Sequence, residues 1–304
     1  MRTRRLLLGM FAGNGVALVL FGLAYAVVSL VPSSVLVVSL PSLVFIPFCI
    51  GLVAAWFWKP LDLGIGAVLW HSVGCTLLGL LLAAALFHEG VICLLILLPI
   101  HYGAIAAGGL AGRVWFRKNR DRLNLCLAPL VVLLIVGEPA LRATHTSVVT
   151  DQIRIAAPPA KVWPHVLAFK PITDPPGYWL FRLGLPYPTE TTNGGNFVGA
   201  KRSCKFSGNA EFKEVVAEIE PGRRLTFDIV EMPADPELIG HLDAHRGQFE
   251  LLDNGDGTTT LIGRTWYSLR VRPAWYFDWW THDIFRAVHL RVMRHVKLLA
   301  ETEP

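Results

Sequence analysis

The chain has 304 residues, of which 53% are hydrophobic and only 17% charged. Its mean hydropathy is +0.47, which excludes a disordered chain and argues against a single soluble domain. The formal charge of +5 divides unevenly: residues 1–145 hold 10 basic and 4 acidic side chains, residues 146–304 hold 18 and 19. The basic excess belongs to the apolar half, whereas a nucleic-acid surface would carry it on the polar half, so no nucleic-acid partner is expected.

Charge-free apolar runs occupy residues 6–31, 35–58, 64–87 and 91–112. Each exceeds the roughly 20 residues with which a helix crosses about 30 Å of hydrocarbon. Backbone polar groups find no water there, so all four are expected to be helices. A fifth run, 123–137, is only 15 residues and contains Asn124 and Pro129; by length it is re-entrant or interfacial, but extended to 141 it spans a thin bilayer. Arg2, Arg4 and Arg5, then Lys59, then Arg113, Arg117, Lys118, Arg120 and Arg122 fall in alternate connections. The other connections, 32–34 and 88–90, hold no Lys or Arg, which predicts a cytoplasmic N-terminus. The basic cluster ends at Arg122, which favours a fifth span and places the second half outside the cytoplasm. Arg2–Arg5 followed by Ala24-Tyr25-Ala26 also has signal-peptide features, but the apolar stretch is longer than an ordinary h-region.

Within this transmembrane domain, Gly9/Gly13, Gly79/Ala83 and Gly108/Gly112 are spaced for close helix packing. Pro41, Pro47 and Pro99 are expected to kink their helices. His71 and His101 are ionisable residues inside apolar runs, hence functional candidates. They either face each other across haem iron or are neutral imidazoles bonded within the bundle. No second pair at matching depth accompanies them, and neither a cofactor nor a metal is expected. Cys49, Cys75, Cys93 and Cys126 lie in apolar runs and Cys204 alone in the polar half, so there is no disulfide framework.

The second half reads as short strands between helical segments. Residues 147–155 alternate apolar and polar positions. A short helix, 160–167, follows Pro158-Pro159. Residues 170–196 are rich in Pro and Gly and are expected to be irregular. Further strands are expected at 197–206, 210–219, 223–231, 247–252 and 258–269, separated by Ser207-Gly208-Asn209, Pro221-Gly222 and Asn254-Gly255-Asp256-Gly257. A long helix, 274–302, closes the chain, its apolar stripe running through Trp280, Ile284, Val288, Val292, Val296 and Leu299. Arg286, Arg291, Arg294 and Lys297 read as its solvated side.

The order strand, helix, antiparallel strands, long helix, together with particular segments, resembles the START-like SRPBCC superfamily of helix-grip proteins, polyketide cyclase/dehydrase-like members included. The segments are Ile153-Arg154-Ile155-Ala156-Ala157-Pro158 with Val162-Trp163, Gly199-Ala200-Lys201-Arg202-Ser203-Cys204, and Pro221-Gly222-Arg223-Arg224-Leu225-Thr226-Phe227. Gly247-Gln248-Phe249-Glu250-Leu251, Gly257-Thr258-Thr259 and Thr265-Trp266-Tyr267 complete the set. The resemblance covers residues 147–302. It implies an α+β fold, a curved antiparallel sheet around the C-terminal helix, with a deep apolar pocket for lipids, sterols, polyketides or other hydrophobic small molecules. The chain thus divides into an all-α transmembrane domain at 1–145, with spans at 6–31, 35–58, 64–87, 91–112 and 123–141, and a ligand-binding domain at 146–304. The expected location is the inner membrane of a bacterium, with the second domain periplasmic.

Candidate ligand-binding residues follow. Trp163 either caps the cavity mouth or packs on the sheet. Arg202 and Cys204 share one face of their strand; an inward Arg202 needs an acidic partner, Glu214 or Glu218, or an anionic ligand headgroup. Trp266 and Tyr267 point to opposite faces, and Arg264 shares that of Trp266. His241, Asp243 and His245 lie in a loop-like stretch and form an acid/base pair, a weak metal site or inert surface. His282, Arg286 and His289 share one helix face, which either lines the cavity or is solvated. Tyr276, Trp279 and Trp280 suit a membrane interface or a cap on the sheet. No Ser-His-Asp order stands out. Binding of a hydrophobic ligand or lipid by a membrane-anchored domain is therefore the first expectation and catalysis is not required. The alternatives are a polyketide cyclase/dehydratase-like enzyme using Arg202, His245 or Tyr267, and an ectodomain that contacts a protein partner.

Overall fold

The computed structural model describes residues 1–29, 41–87, 90–118, 145–235, 237 and 242–302. The fifth apolar run, Arg120, Arg122 and His241 lie outside the described residues. The chain forms two compact units, one of residues 1–143 with 271–273 and one of residues 144–270 with 274–304.

In the first unit, α1 (Arg2–Ser29) is followed by a π-helical turn (Pro41–Phe45) that runs into α2 (Ile46–Trp58). A 3₁₀ turn (Lys59–Leu61), α3 (Ile65–Phe87) and α4 (Val91–Lys118) complete the unit. Among the described residues, four stretches are long and apolar enough to cross a membrane: Arg2–Leu23, Leu43–Leu61, Ile65–Leu86 and Val91–Arg117. Pro47 opens α2 rather than kinking it, since the first helical turn needs no N–H from it. Pro99 lies inside α4.

Glycines let these helices touch through their backbones. A Cβ at Gly51 of α2 would lie 1.9 Å from the Ile105 carbonyl oxygen of α4, and one at Gly108 would lie 2.0 Å from that of Phe48. At Gly13 of α1 the nearest atom is the Ile50 carbonyl oxygen, 2.6 Å away. The basic residues collect at one end. Trp58 donates to the Leu6 carbonyl at 3.2 Å, Arg113 donates to the Leu63 carbonyl at 2.7 Å, and Arg117 pairs with Asp62. His71 packs its ring against Trp58, with centroids 5.8 Å apart. His101 Nε2 is buried against Gly79.

The second unit is a seven-stranded antiparallel sheet in the order β1-β7-β6-β5-β4-β3-β2. The strands are β1 (His145–Ile155), β2 (Pro188–Asn193), β3 (Lys201–Phe206), β4 (Glu211–Glu220), β5 (Arg224–Glu231), β6 (Leu242–Asp253) and β7 (Thr259–Leu269). Helices α5 (Pro159–Leu167) and α6 (Trp179–Arg182) carry the chain from β1 at one edge to β2 at the other, and α7 (Ala274–Thr302) closes the unit. Bulges in β4 and β6 bend the sheet. Gly222 (φ 75°) and Gly257 (φ 79°) take the left-handed turn conformations that join β4 to β5 and β6 to β7.

One core cluster lies between sheet and helices, built on Val162 and Val166 of α5, Leu225, Leu251 and Leu261 of the sheet, and Val292, Met293 and Val296 of α7. The line that α7 buries runs through His289, Val292, Met293, Val296 and Ala300, one position away from the predicted stripe in its first half. An ionisable residue on the buried line conceals the true periodicity.

Two predicted elements are corrected. Residues 188–193 form a strand inside the expected irregular stretch, although Pro-Thr-Glu-Thr-Thr-Asn shows no apolar alternation; pairing with β3 creates it. The segment from Leu242 is strand, not loop, so Asp243 and His245 sit on β6, with a bulge between Ala244 and Arg246.

Candidate functional site

Strand alternation sorts the side chains into an inner face towards α7 and an outer face. One inner row crosses five strands, Val149–Thr265–Gly247–Phe227–Val216. Two polar constellations stand near it, one from β3 and β4, the other from β1, β7 and α7.

The first is Arg202 and Glu214, which are register partners. Their side chains are 2% and 6% exposed, with Nε and Oε2 3.2 Å apart. The Arg202 guanidinium also lies 4.5 Å over the Phe227 ring. Arg202 Nε and Nη1 and Glu214 Oε2 are buried without a hydrogen bond of good geometry. The pair is held by charge and stacking while part of its hydrogen-bonding capacity is unused. Burial pushes the Glu214 carboxyl up to about 7, with Arg202 opposing the rise. Burial thus favours the protonated carboxyl and weakens the counter-charge that Glu214 offers Arg202. Burial and the Glu214 charge push the neighbouring Cys204 thiol up to about 12, so it is not a thiolate nucleophile.

Phe227 lies over Gly247, where a Cβ would be 2.4 Å from the ring. Gly247→Ala is therefore expected to displace the ring from beneath Arg202. The expected cost in thermal unfolding is about 1–3 kcal/mol, with no comparable loss for Gly177→Ser, an exposed position with open space around it and no left-handed backbone.

The second constellation joins three elements. His289 Nδ1 lies 2.9 Å from Asp151 Oδ2, and His289 Nε2 lies 2.8 Å from Thr265 Oγ1. The His289 and Asp151 side chains are 7% and 11% exposed, and Thr265 is half-buried like Asp151. An ionised Asp151 accepts the Nδ1 proton, which leaves Nε2 as the acceptor of the Thr265 hydroxyl proton. Arg286 Nε lies 3.7 Å from Asp151 Oδ1.

At the same end, the Tyr267 hydroxyl donates to Asp278 Oδ1 at 2.6 Å. His145 Nε2 is 3.4 Å from that oxygen, and His282 Nε2 is 3.3 Å from Ser147 Oγ. Burial and Asp278 raise the Tyr267 pKa, so the phenol stays protonated. Among the described residues, no group of three or more His, Cys, Asp or Glu is arranged to hold a metal ion.

Arg202, Tyr267 and His289 thus lie on the inner face. His289 is buried, not solvated. Trp163 is half-buried and packs against the core from α5. Trp266, Arg264 and His245 belong to the outer face and cannot line a cavity between sheet and helix. Arg264 Nη1 donates to Gln248 Oε1 and Glu250 Oε2, both at 2.8 Å. His245 Nε2 is 2.6 Å from Ser268 Oγ. Trp266 and His245 border an open depression of about 500 Å³ with Asp228 and Arg246. Arg291, read as solvated, is half-buried and donates to the carbonyls of Pro188 (3.0 Å) and Asp174 (2.9 Å). Asp151 and Thr265 escaped the sequence reading; their signal was parity, since Asp151 shares a face with Ser147 and Thr265 with Tyr267.

No family model matches the chain, and no curated protein matches it. Solved structures resemble it over about half its length. Truncated norcoclaurine synthase from Thalictrum flavum is 13% identical, with 54% of this chain and 98% of that chain covered and a TM-score of 0.37. A protein from Nitrosospira multiformis is 18% identical, covering 52% and 98%, with a TM-score of 0.35. One from Thermobifida fusca is 18% identical, covering 49% and 90%, with a TM-score of 0.33.

Proposed function

We propose that the chain is a membrane-anchored helix-grip protein whose second domain, residues 146–304, holds an amphipathic small molecule or lipid between sheet and α7. The ligand's anionic head lies at Arg202 and its apolar body along the inner face. The observation that carries this reading is the buried Arg202–Glu214 pair with its unused hydrogen-bonding atoms. A buried ion pair is an inefficient way to stabilise a core, because desolvation offsets its Coulombic gain. An anionic headgroup would complete Arg202 when Glu214 is protonated. The four apolar helices support the anchor, residues 1–145 being the transmembrane domain. The basic residues gathered at one end support a cytoplasmic N-terminus, and a spanning fifth run then puts the second domain outside, in the periplasm of a bacterium.

The test is native mass spectrometry of the full-length protein extracted in mild detergent. A retained anionic lipid or fatty acid is expected, and it should be lost from a double variant, Arg202→Met with Glu214→Leu, that still folds. A protein that emerges empty and takes up no added anionic lipid overturns the reading. For topology, a reporter active only outside the cytoplasm should be active when fused after Glu301 and silent when fused after Lys118.

A further inference from the structure

We propose that Asp151, His289 and Thr265 form an acyl-transfer site, with Thr265 as nucleophile, His289 as base and Asp151 as the residue that positions it. Its substrate is an ester or thioester of a hydrophobic acid. This deepens the ligand-holding reading only in the choice of substrate; the site itself stands on separate geometry.

The three residues come from β1, α7 and β7, and lie 24 to 138 positions apart in sequence. Both ring nitrogens of His289 are engaged, at 2.9 Å and 2.8 Å. Asp151 fixes the tautomer that aims a lone pair at the Thr265 hydroxyl, so the proton to be removed already lies on the path to the base. His289 is buried, while Asp151 and Thr265 are both half-buried, so the hydroxyl is not sealed in the core. Across the sheet its neighbour Gly247 has no side chain, and the Phe227 ring supplies an apolar surface beside it.

In the reaction, Thr265 Oγ1 attacks the acyl carbon as its proton passes to His289 Nε2. The carbon–oxygen or carbon–sulfur bond to the leaving group breaks, and that group departs with the proton. Water, deprotonated by His289, then attacks the acyl-threonine. The carboxylic acid is released and the Thr265 hydroxyl restored, so the net change is hydrolysis of one ester bond.

The experiment uses the full-length protein in detergent with two probes, an alkyl fluorophosphonate and p-nitrophenyl octanoate. The fluorophosphonate should form a phosphorus–oxygen bond to Thr265 with loss of fluoride, read by peptide mass spectrometry. Thr265→Val should abolish the adduct and Thr265→Ser should keep it, a difference that a merely structural hydroxyl would not produce. His289→Gln should slow octanoate hydrolysis about 100-fold or more and Asp151→Asn about 10- to 100-fold. Absence of an adduct on Thr265 in protein that retains its lipid overturns the proposal, as does hydrolysis unchanged in Thr265→Val. Labelling at Thr265 in protein that never binds lipid upholds the proposal and overturns the ligand-holding reading alone.

Discussion

Arg202→Met is expected to destabilise the second unit by about 3–5 kcal/mol at pH 8, because it leaves the Glu214 carboxylate buried without a counter-charge. The loss should shrink on acidification, since a protonated Glu214 needs no partner. The wild-type carboxyl already has the matching signature. Its folded pKa of about 7 lies above the ordinary 4.5. Its contribution to stability is therefore fully present below about 4.5 and lost as pH rises through 7. Stability of the second unit should therefore fall as pH rises from 5 to 8. Replacing both residues with apolar side chains of similar volume should restore stability to within about 1 kcal/mol of wild type or beyond it. Thermal unfolding in detergent at pH 5 and 8, followed by tryptophan fluorescence, reads wild type and both variants. If the double variant is as unstable as Arg202→Met, the pair is an element of the core and not a site kept at the expense of stability.

The second large effect belongs to the helical unit. Gly51→Val is expected to destabilise it by about 3 kcal/mol or more. No rotamer change can relieve the contact, because the obstacle 1.9 Å from the new Cβ is the Ile105 carbonyl and the next, at 2.6 Å, is the Gly109 nitrogen. Helices α2 and α4 must separate, and in lipid no hydrophobic gain between helices compensates for lost contact. Gly66→Ala and Gly103→Ala are the controls, since each has open space around it and alanine favours helix by about 1 kcal/mol. Melting of the detergent-solubilised protein should fall sharply for the first variant and hold or rise for the controls. Equal melting of all three would show that the close approach at Gly51 contributes nothing.

The long elements were legible because their patterns are redundant. The apolar runs of the first unit exceed the length of a span many times over in total. Residues 274–302 carry eight turns of periodicity after Pro273, and the observed helix has the same bounds. Strands β3, β4, β5 and β7 were bracketed by glycine turns. β2 was not legible, since Pro188–Asn193 carries no apolar code and becomes a strand only against β3. The constellation at His289 was hidden for a related reason. A histidine among arginines on a helix reads as solvated, and its two partners lie on strands whose facing is undecided until β1 is paired with β7. Alternation did show that Trp266 and Tyr267 oppose each other. It did not show which was inward, and that choice moved Trp266 and Arg264 out of the site.

The position of β1 has a mechanical consequence. It is the first strand of the second unit and an edge strand, laddered on one side only, against β7. Tension carried along the chain from residues 1–144 meets this strand at its His145 end. Near its far end the strand is pinned by Lys297, which donates to the Arg154 carbonyl at 2.9 Å, and by Glu301, which accepts from the Ala156 amide at 2.6 Å. Asp151 lies between the pulled end and the pinned end. Load entering at His145 therefore reaches the Asp151–His289 contact before it reaches Ile153, packed against the core cluster, and Ile155 within it.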